Sequence, residues 1–204
     1  MPLPLTFSLI FFAAFAAYFF FGLYVLFLNV HSNLHRVFFL SCISLCIWAF
    51  SFSISNSAPD YDTCLFWRRI ACLGWGTYFS LLLHFILILT DRNRLLQKKW
   101  LYMLLYFPAA VNVFAFCLYG EIAVKQYHLI KTDAGWVNVL EGTVWDIWFN
   151  CYYVIFSIIS VGLILQWGIT AKDRLVRKQS LIMGGAILYA TLAGTLTDFV
   201  INSF

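Results

Sequence analysis

The chain has 204 residues, 63% hydrophobic, 20% aromatic and only 11% charged, with a formal net charge of +4. Soluble domains carry about 45–50% apolar and about 25% charged residues. The composition therefore excludes a soluble enzyme, a disordered segment, a collagen-like chain and a nucleic-acid binder, and leaves a multi-span membrane protein.

Six runs reach the roughly 17–25 apolar residues that a spanning helix needs: 5–30, 37–55, 70–90, 101–119, 143–168 and 181–200. They predict one all-α domain over 1–204, a helical bundle of six transmembrane helices. The first run, Leu3 to Val30, lacks a basic leading region and a small-residue cleavage site and exceeds a signal-peptide core, so it stays as a span. At 1.5 Å per residue the first and fifth runs outreach a hydrocarbon core of about 30 Å, so tilt or protrusion is expected. Pro108 removes one backbone bond within the fourth run and predicts a kink.

The basic residues orient the bundle. Arg36, Arg92, Arg94, Lys98, Lys99, Lys172, Arg174, Arg177 and Lys178 fall on one side, against Arg68, Arg69, Lys125 and Lys131 on the other. By the positive-inside rule the larger set is cytoplasmic and the N-terminus is outside. Six spans then leave Phe204 outside: either the protein ends there, or the chain is a fragment whose next, seventh helix returns it to the cytoplasm and an output domain. The longest connection, Gly120 to Gly142, is external. Within it, Tyr127–Lys131 and Trp136–Val139 flank Thr132-Asp133-Ala134-Gly135, a hairpin pattern. The hairpin is either a lid over the bundle mouth or an ordinary structured loop.

The six cysteines, Cys42, Cys46, Cys64, Cys72, Cys117 and Cys151, form no CxxC and no zinc spacing. Cys42 and Cys46 share a helix face and read as small apolar packing. A disulfide between Cys64 and Cys117 is open but not required. His84 is the one intramembrane histidine; it has no second ligand at matching depth for haem and reads as a helix-packing residue. No metal, cofactor or catalytic set is implied.

Polar residues fall on helical faces. The fifth span aligns Asp146, Asn150, Tyr153, Ser157 and Ser160, and the sixth aligns Thr191, Thr195, Asp198 and Asn202. The third aligns Arg69, Cys72, Gly76, Ser80 and His84, and the second Ser41, Ser44, Trp48, Ser51 and Ser55. Such faces should turn into the bundle, where they would line a wet or ligand-holding interior or bond their own helix backbone. Counting rise from the inner face puts Arg69, Asp146 and Asp198 at one level on the outer rim, beside Trp67, Trp145 and Trp148 and near Asn150. This rim is a candidate site for a small zwitterionic, cationic or peptide ligand. The competing reading is an Arg69 ion pair to Asp146 or Asp198 that locks helices. On the sixth span Gly185, Ala186, Ala190 and Gly194 form a small-residue ridge, for packing inside the bundle or for a dimer seam.

Phe66-Trp67-Arg68-Arg69-Ile70-Ala71-Cys72-Leu73-Gly74-Trp75 runs on into Leu83-His84-Phe85-Ile86-Leu87-Ile88-Leu89-Thr90. With Ile47-Trp48-Ala49-Phe50, Tyr106-Phe107-Pro108, Arg177-Lys178-Gln179-Ser180 and Gly194-Thr195-Leu196-Thr197-Asp198, these segments resemble the N-terminal seven-transmembrane region of bacterial sensor histidine kinases, also fused to diguanylate cyclases. The resemblance implies a non-catalytic sensory input module in a bacterial inner membrane. It would read an external or membrane-borne cue, small molecule or peptide, and work as a homodimer in the full-length protein. It supplies no ligand and no residue roles. The chain departs from the pattern in lacking helix seven, a phospho-accepting His box, ATP-binding glycine motifs and a GGDEF signature. A different class, a small transporter or permease subunit, would require broken helices near the midplane, for which only Pro108 speaks.

The orientation can be tested directly. A reporter active only in the cytoplasm should be active when fused after Lys99 or Lys178 and silent after Gly142 or Phe204; the opposite pattern would invert the bundle.

Overall fold

The computed structural model describes residues 3–118, 124–139 and 142–201, with side chains to residue 193. The long helices are α1 (Leu3–Leu28), α2 (Asn33–Ser55), α3 (Tyr61–Leu89), α5 (Lys99–Val113), α6 (Val144–Thr170) and α7 (Arg174–Ile201). A single turn, α4 (Asn93–Leu96), precedes α5, and a π-helical turn, Phe114–Leu118, extends it. Among the described residues α1, α2, α3, α6 and the combined Lys99–Leu118 segment are long and apolar enough to cross a membrane. The sixth long helix, α7, has 28 residues, about 42 Å of rise. The chain is thus an all-α multi-pass membrane bundle.

Helix α3 is the hub, in contact with α2, α5 and α6; α1 packs on α2, and α7 on α6. It starts nine residues before the predicted span, at Tyr61 rather than Ile70. Asp60 caps it, accepting the Thr63 N–H at 2.8 Å. That bond holds the Asp60 carboxyl below its ordinary range. The 29 residues rise about 43 Å, well beyond the hydrocarbon core. Arg68 and Arg69 therefore belong to the outer turns of a helix, not to a linker. At the inner end Asp91 takes φ 55 and the Arg92 N–H reaches back to the Leu87 carbonyl at 2.9 Å, which stops the helix.

Helix contacts are closest at glycines. A Cβ on Gly74 would lie 2.3 Å from the Ser44 carbonyl oxygen and 2.6 Å from the Trp48 nitrogen, so α2 and α3 touch backbone to backbone. On α6, a Cβ on Gly168 would overlap the Ser180 hydroxyl of α7, and Gly184 packs on Leu165 and Ile164. The expectation that the small ridge of α7 packs inside the bundle needs correction. Gly185, Ala186 and Ala190 are exposed, because the i, i+4 contacts to α6 run through Ser180 and Gly184, about 100° around the helix from Gly185. The surroundings of Gly194 lie outside the described residues.

The external hairpin pairs β1 (His128–Thr132) with β2 (Gly135–Val139), antiparallel, with Thr132 opposite Gly135 around a two-residue turn. It lies against the outer ends of the helices: Tyr127, Leu129 and Trp136 pack with Ala58, Cys64, Leu65, Cys72, Ala115 and Phe116 in one buried cluster. The cysteines are free thiols, Cys64 fully buried and Cys117 half-buried.

Gly74→Ala should lower stability in detergent by about 1–3 kcal/mol, because the methyl meets backbone that cannot yield. Gly162→Ala, with nothing within 4 Å, should be neutral or slightly stabilising. Equal thermal midpoints for the two variants would mean that α2 and α3 are not in contact at Gly74.

Candidate functional site

The third-helix stripe is spent on partners. Arg69 donates through Nε (3.0 Å) and Nη2 (2.6 Å) to the Cys117 carbonyl, at the open end of the π-turn. Cys72 Sγ lies 3.5 Å from the Asn112 carbonyl, and Asn112 Nδ2 donates to the Gly76 carbonyl at 3.3 Å. Ser80 Oγ donates to the Leu105 carbonyl at 2.5 Å, three residues before Pro108. Tyr152 OH of α6 takes the Ser80 N–H at 2.9 Å and lies 2.8 Å from its hydroxyl. His84 Nδ1 and Tyr106 OH are 2.7 Å apart. The stripe is a helix-packing seam rather than the wall of a wet interior. On α2, Ser41 and Ser44 bond their own helix, donating to the Val37 and Ser41 carbonyls.

Among the described residues the outer rim forms no ion pair. Arg69 turns to Cys117, and Asp146 closes a capping box with Thr143, accepting the Thr143 N–H at 2.9 Å. Among the described residues no Arg–carboxylate bridge joins them, so the Arg69–Asp146 lock is corrected: a helix-end carbonyl and a helix-start N–H compete successfully for the two charges. The Asp198 side chain lies outside the described residues. Asn150 is exposed, so the α6 face is inward only at Asp146, Ser157 and Ser160. Trp67 packs edge-on against Phe50 (5.7 Å). Trp145 joins the outer cluster, and the half-buried Trp148 has an Nε1–H with no partner among the described residues.

Arg68, read from the sequence only as a basic residue, carries more of the geometry. It is 8% exposed. Its Nη2 donates to the Trp136 carbonyl at 2.5 Å and its guanidinium stands 4.1 Å over the Phe52 ring. Tyr127 OH is 3.2 Å from both the Arg68 and Phe116 carbonyls, and Trp136 Nε1 donates to the Ala58 carbonyl at 2.8 Å. Asn56 Nδ2 reaches the carbonyls of Pro4 (3.2 Å) and Ala134 (3.3 Å). The external loop is thus held at its start by Arg69, at its end by the Thr143–Asp146 box, and at its hairpin by Arg68 and Tyr127. Nothing in the composition separates Arg68 from Arg69. The signal available was their 100° offset on one helix, which sends the two guanidinium groups to different neighbours.

Residues 6–204 match a family model described as the N-terminal 7TM region of histidine kinase, and the chain belongs to that family. The curated proteins and the solved structures gave no match. The chain is the sensory, non-catalytic transmembrane input region of a histidine-kinase-type signalling protein.

Burial pushes the Tyr127 hydroxyl well above its ordinary value of 10.0, with Cys72 and Cys117 adding to the rise. The docked hairpin therefore binds the tyrosine proton more tightly than the undocked one. Docking should be unaffected by the Tyr127 proton below about pH 10 and weaken above it, by up to about 1.4 kcal/mol per pH unit. Protease cleavage of the 124–139 segment in detergent should rise between pH 10 and 11 in the unaltered chain. In Tyr127→Phe it should be higher throughout, reflecting about 1 kcal/mol of lost hydrogen bonding, and should lack the alkaline step.

Proposed function

We propose that this chain reads an external or membrane-borne cue at its outer mouth and passes it to a cytoplasmic kinase output in a bacterial inner membrane, as part of a homodimer. The hairpin-bearing loop is the element that responds, and the rim of Arg69, Asp146, Asp198, Trp67, Trp145, Trp148 and Asn150 is where the cue makes contact. The observation that carries the reading is the mounting of one loop region on consecutive residues of the central helix: Arg68 on the hairpin, Arg69 on the Cys117 carbonyl of the π-turn that precedes the loop. A ligand that displaces the loop must act on α3, and α3 touches α2, α5 and α6. The buried, unpartnered Trp148 N–H adds a donor at the same level. Near Pro108 and the π-turn, the Leu105 and Asn112 carbonyls of α5 take bonds from Ser80 and Cys72 of α3, a helix-to-helix seam that gives the transporter reading no support.

Asp146→Asn retains an oxygen that can accept the Thr143 N–H, so it and Asp198→Asn should fold with unchanged thermal midpoints. In the kinase expressed from its own locus, both should lose the response to whichever external solutes or lipids change the output of the unaltered protein. Arg69→Gln should instead cost about 1.5–3 kcal/mol of stability, the value of a charged hydrogen bond. Normal responses in both Asn variants at every concentration would remove the rim as the contact site.

A further inference from the structure

A second opening lies away from the rim, on the other side of the hairpin turn. An open recess of about 270 Å³ is lined by the start of α1 (Pro4, Leu5), the α2–α3 connection (Asn56 to Pro59) and the hairpin residues Lys131 and Gly135. Asn56 ties these three elements together through the Pro4 and Ala134 carbonyls and through its own carbonyl, which accepts the Trp136 N–H at 3.4 Å. The approach depends on Gly135: at φ +116 it has no side chain where a Cβ would lie 2.6 Å from the Asn56 carbonyl oxygen. A larger residue there would separate the turn from Asn56 and open the cavity.

The chemistry of this cavity is asymmetric. Its walls are largely apolar, from Pro4, Leu5, Ala58 and Pro59, and its one charge is an ammonium. Lys131 is exposed yet held, donating to the Pro59 carbonyl at 3.2 Å and standing 5.4 Å over the Trp136 ring. Those contacts fix the side chain and leave two ammonium donors. Neither partner is an anion; the Asp60 carboxylate, next to Pro59, feels the ammonium only from beyond ion-pair distance, and its oxygens are bonded to Thr63. Below the cavity, Leu5, Leu9 and Phe12 are exposed at four- and three-residue steps on α1, one lipid-facing stripe running inward from Leu5.

We propose that this cavity binds a single-chain carboxylate amphiphile, its head on Lys131 and its chain following α1 from Leu5 into the outer leaflet. The unused ammonium donors select an anion, and the apolar walls select against a bare one. The inference rests on the reading of the hairpin as the responding element, since an occupant would bridge α1, the α2–α3 connection and the hairpin turn. It names the class of cue that reaches that element from the membrane.

The test uses the full chain in nanodiscs, with octanoate as probe and octan-1-ol and acetate as comparisons, read by thermal midpoint and by amide exchange of residues 128–139. Octanoate should raise the midpoint saturably and slow hairpin exchange about tenfold. Lys131→Gln, each response being measured against its own unliganded hairpin exchange, should weaken the octanoate response at least tenfold, and Lys131→Arg should restore it to within about threefold. Equal effects of octanoate and octan-1-ol, or an undiminished response in Lys131→Gln, would overturn the anion site. Acetate equal to octanoate would overturn the amphiphile. The signalling readout is separate. Lys131-dependent binding without a change in kinase output would confirm the cavity and sink the sensing reading. Loss of response in the rim variants with no octanoate binding would do the reverse.

Discussion

A polar group in hydrocarbon has no water to fall back on, and each one left unpaired costs several kcal/mol. That constraint organises the bundle around α3 and α5. Helix α5 carries two backbone defects, Pro108 and the π-turn at Phe114–Leu118, and α3 carries one face of polar and small residues. Ser80 meets the Leu105 carbonyl, Asn112 meets Gly76 and Cys72, and Arg69 meets Cys117. The His84–Tyr106 contact closes the inner end. From Arg69 to His84 these bonds span about 22 Å of helix. A slip of one residue between α3 and α5 would unpair them all, so the register is set by hydrogen bonding more firmly than apolar packing alone could set it. Tyr152 ties α6 to the same turn of α3, and Trp75 packs on Phe149 at 4.6 Å to continue that contact outward.

The external loop inherits its position from this seam. Arg69 is both the last member of the α3 stripe and the mount for the Cys117 carbonyl of the π-turn that precedes the loop. Arg68, a residue earlier, leaves the helix toward the hairpin and stands over Phe52, which packs in turn against Phe11 of α1 at 5.4 Å. A buried guanidinium is tolerated here because the surplus length of α3 lifts it toward the interface and because the π face and a carbonyl replace part of its hydration. The outer surface and the membrane interior are therefore joined by contiguous contacts on one rigid element. At the opposite end Arg92 bonds Gln166 at 2.8 Å, linking the end of α3 to α6.

Periodicity made the spans, the hairpin and the α3 stripe legible, because each follows from side-chain direction on a regular backbone. Residues 127–131 and 136–139 could be read as strands from their β-prone side chains around an Asp/Gly turn, and the observed pairing begins there. What escaped was everything decided between elements. The π-turn follows no run of residue types; it stands where Asn112 and Cys117 bond across to α3. The start of α3 at Tyr61 was hidden because Asp60, Asp62, Arg68 and Arg69 read as a linker by hydropathy, although Asp60 and Thr63 spell a helix cap. Arg69 and Asp146 were placed at the right depth and given the wrong partners: depth follows from counting rise, whereas partner choice depends on which carbonyl or N–H the neighbouring segment leaves open. Asn150 sits on the predicted stripe and is exposed, since a stripe fixes an azimuth but not whether a neighbour covers it at that level.

The distribution of contacts also bears on how such a bundle can respond at all. The α3–α5 seam is deeply buried and multiply bonded, so its opening would require most of the global unfolding free energy. The hairpin is held by less: the buried side chains of Tyr127, Leu129 and Trp136 and a few hydrogen bonds from Arg68, Tyr127, Trp136, Asn56 and Lys131, several of them at the water interface. Elements that open readily come from this low-stability end. Net hydrogen bonds of about 0.5–1.5 kcal/mol each keep the hairpin docked most of the time and leave its undocking within reach of a ligand with a modest preference for one state. A loop bonded as densely as the seam would transmit nothing, and one without Arg68 would have no fixed position from which a displacement could be read.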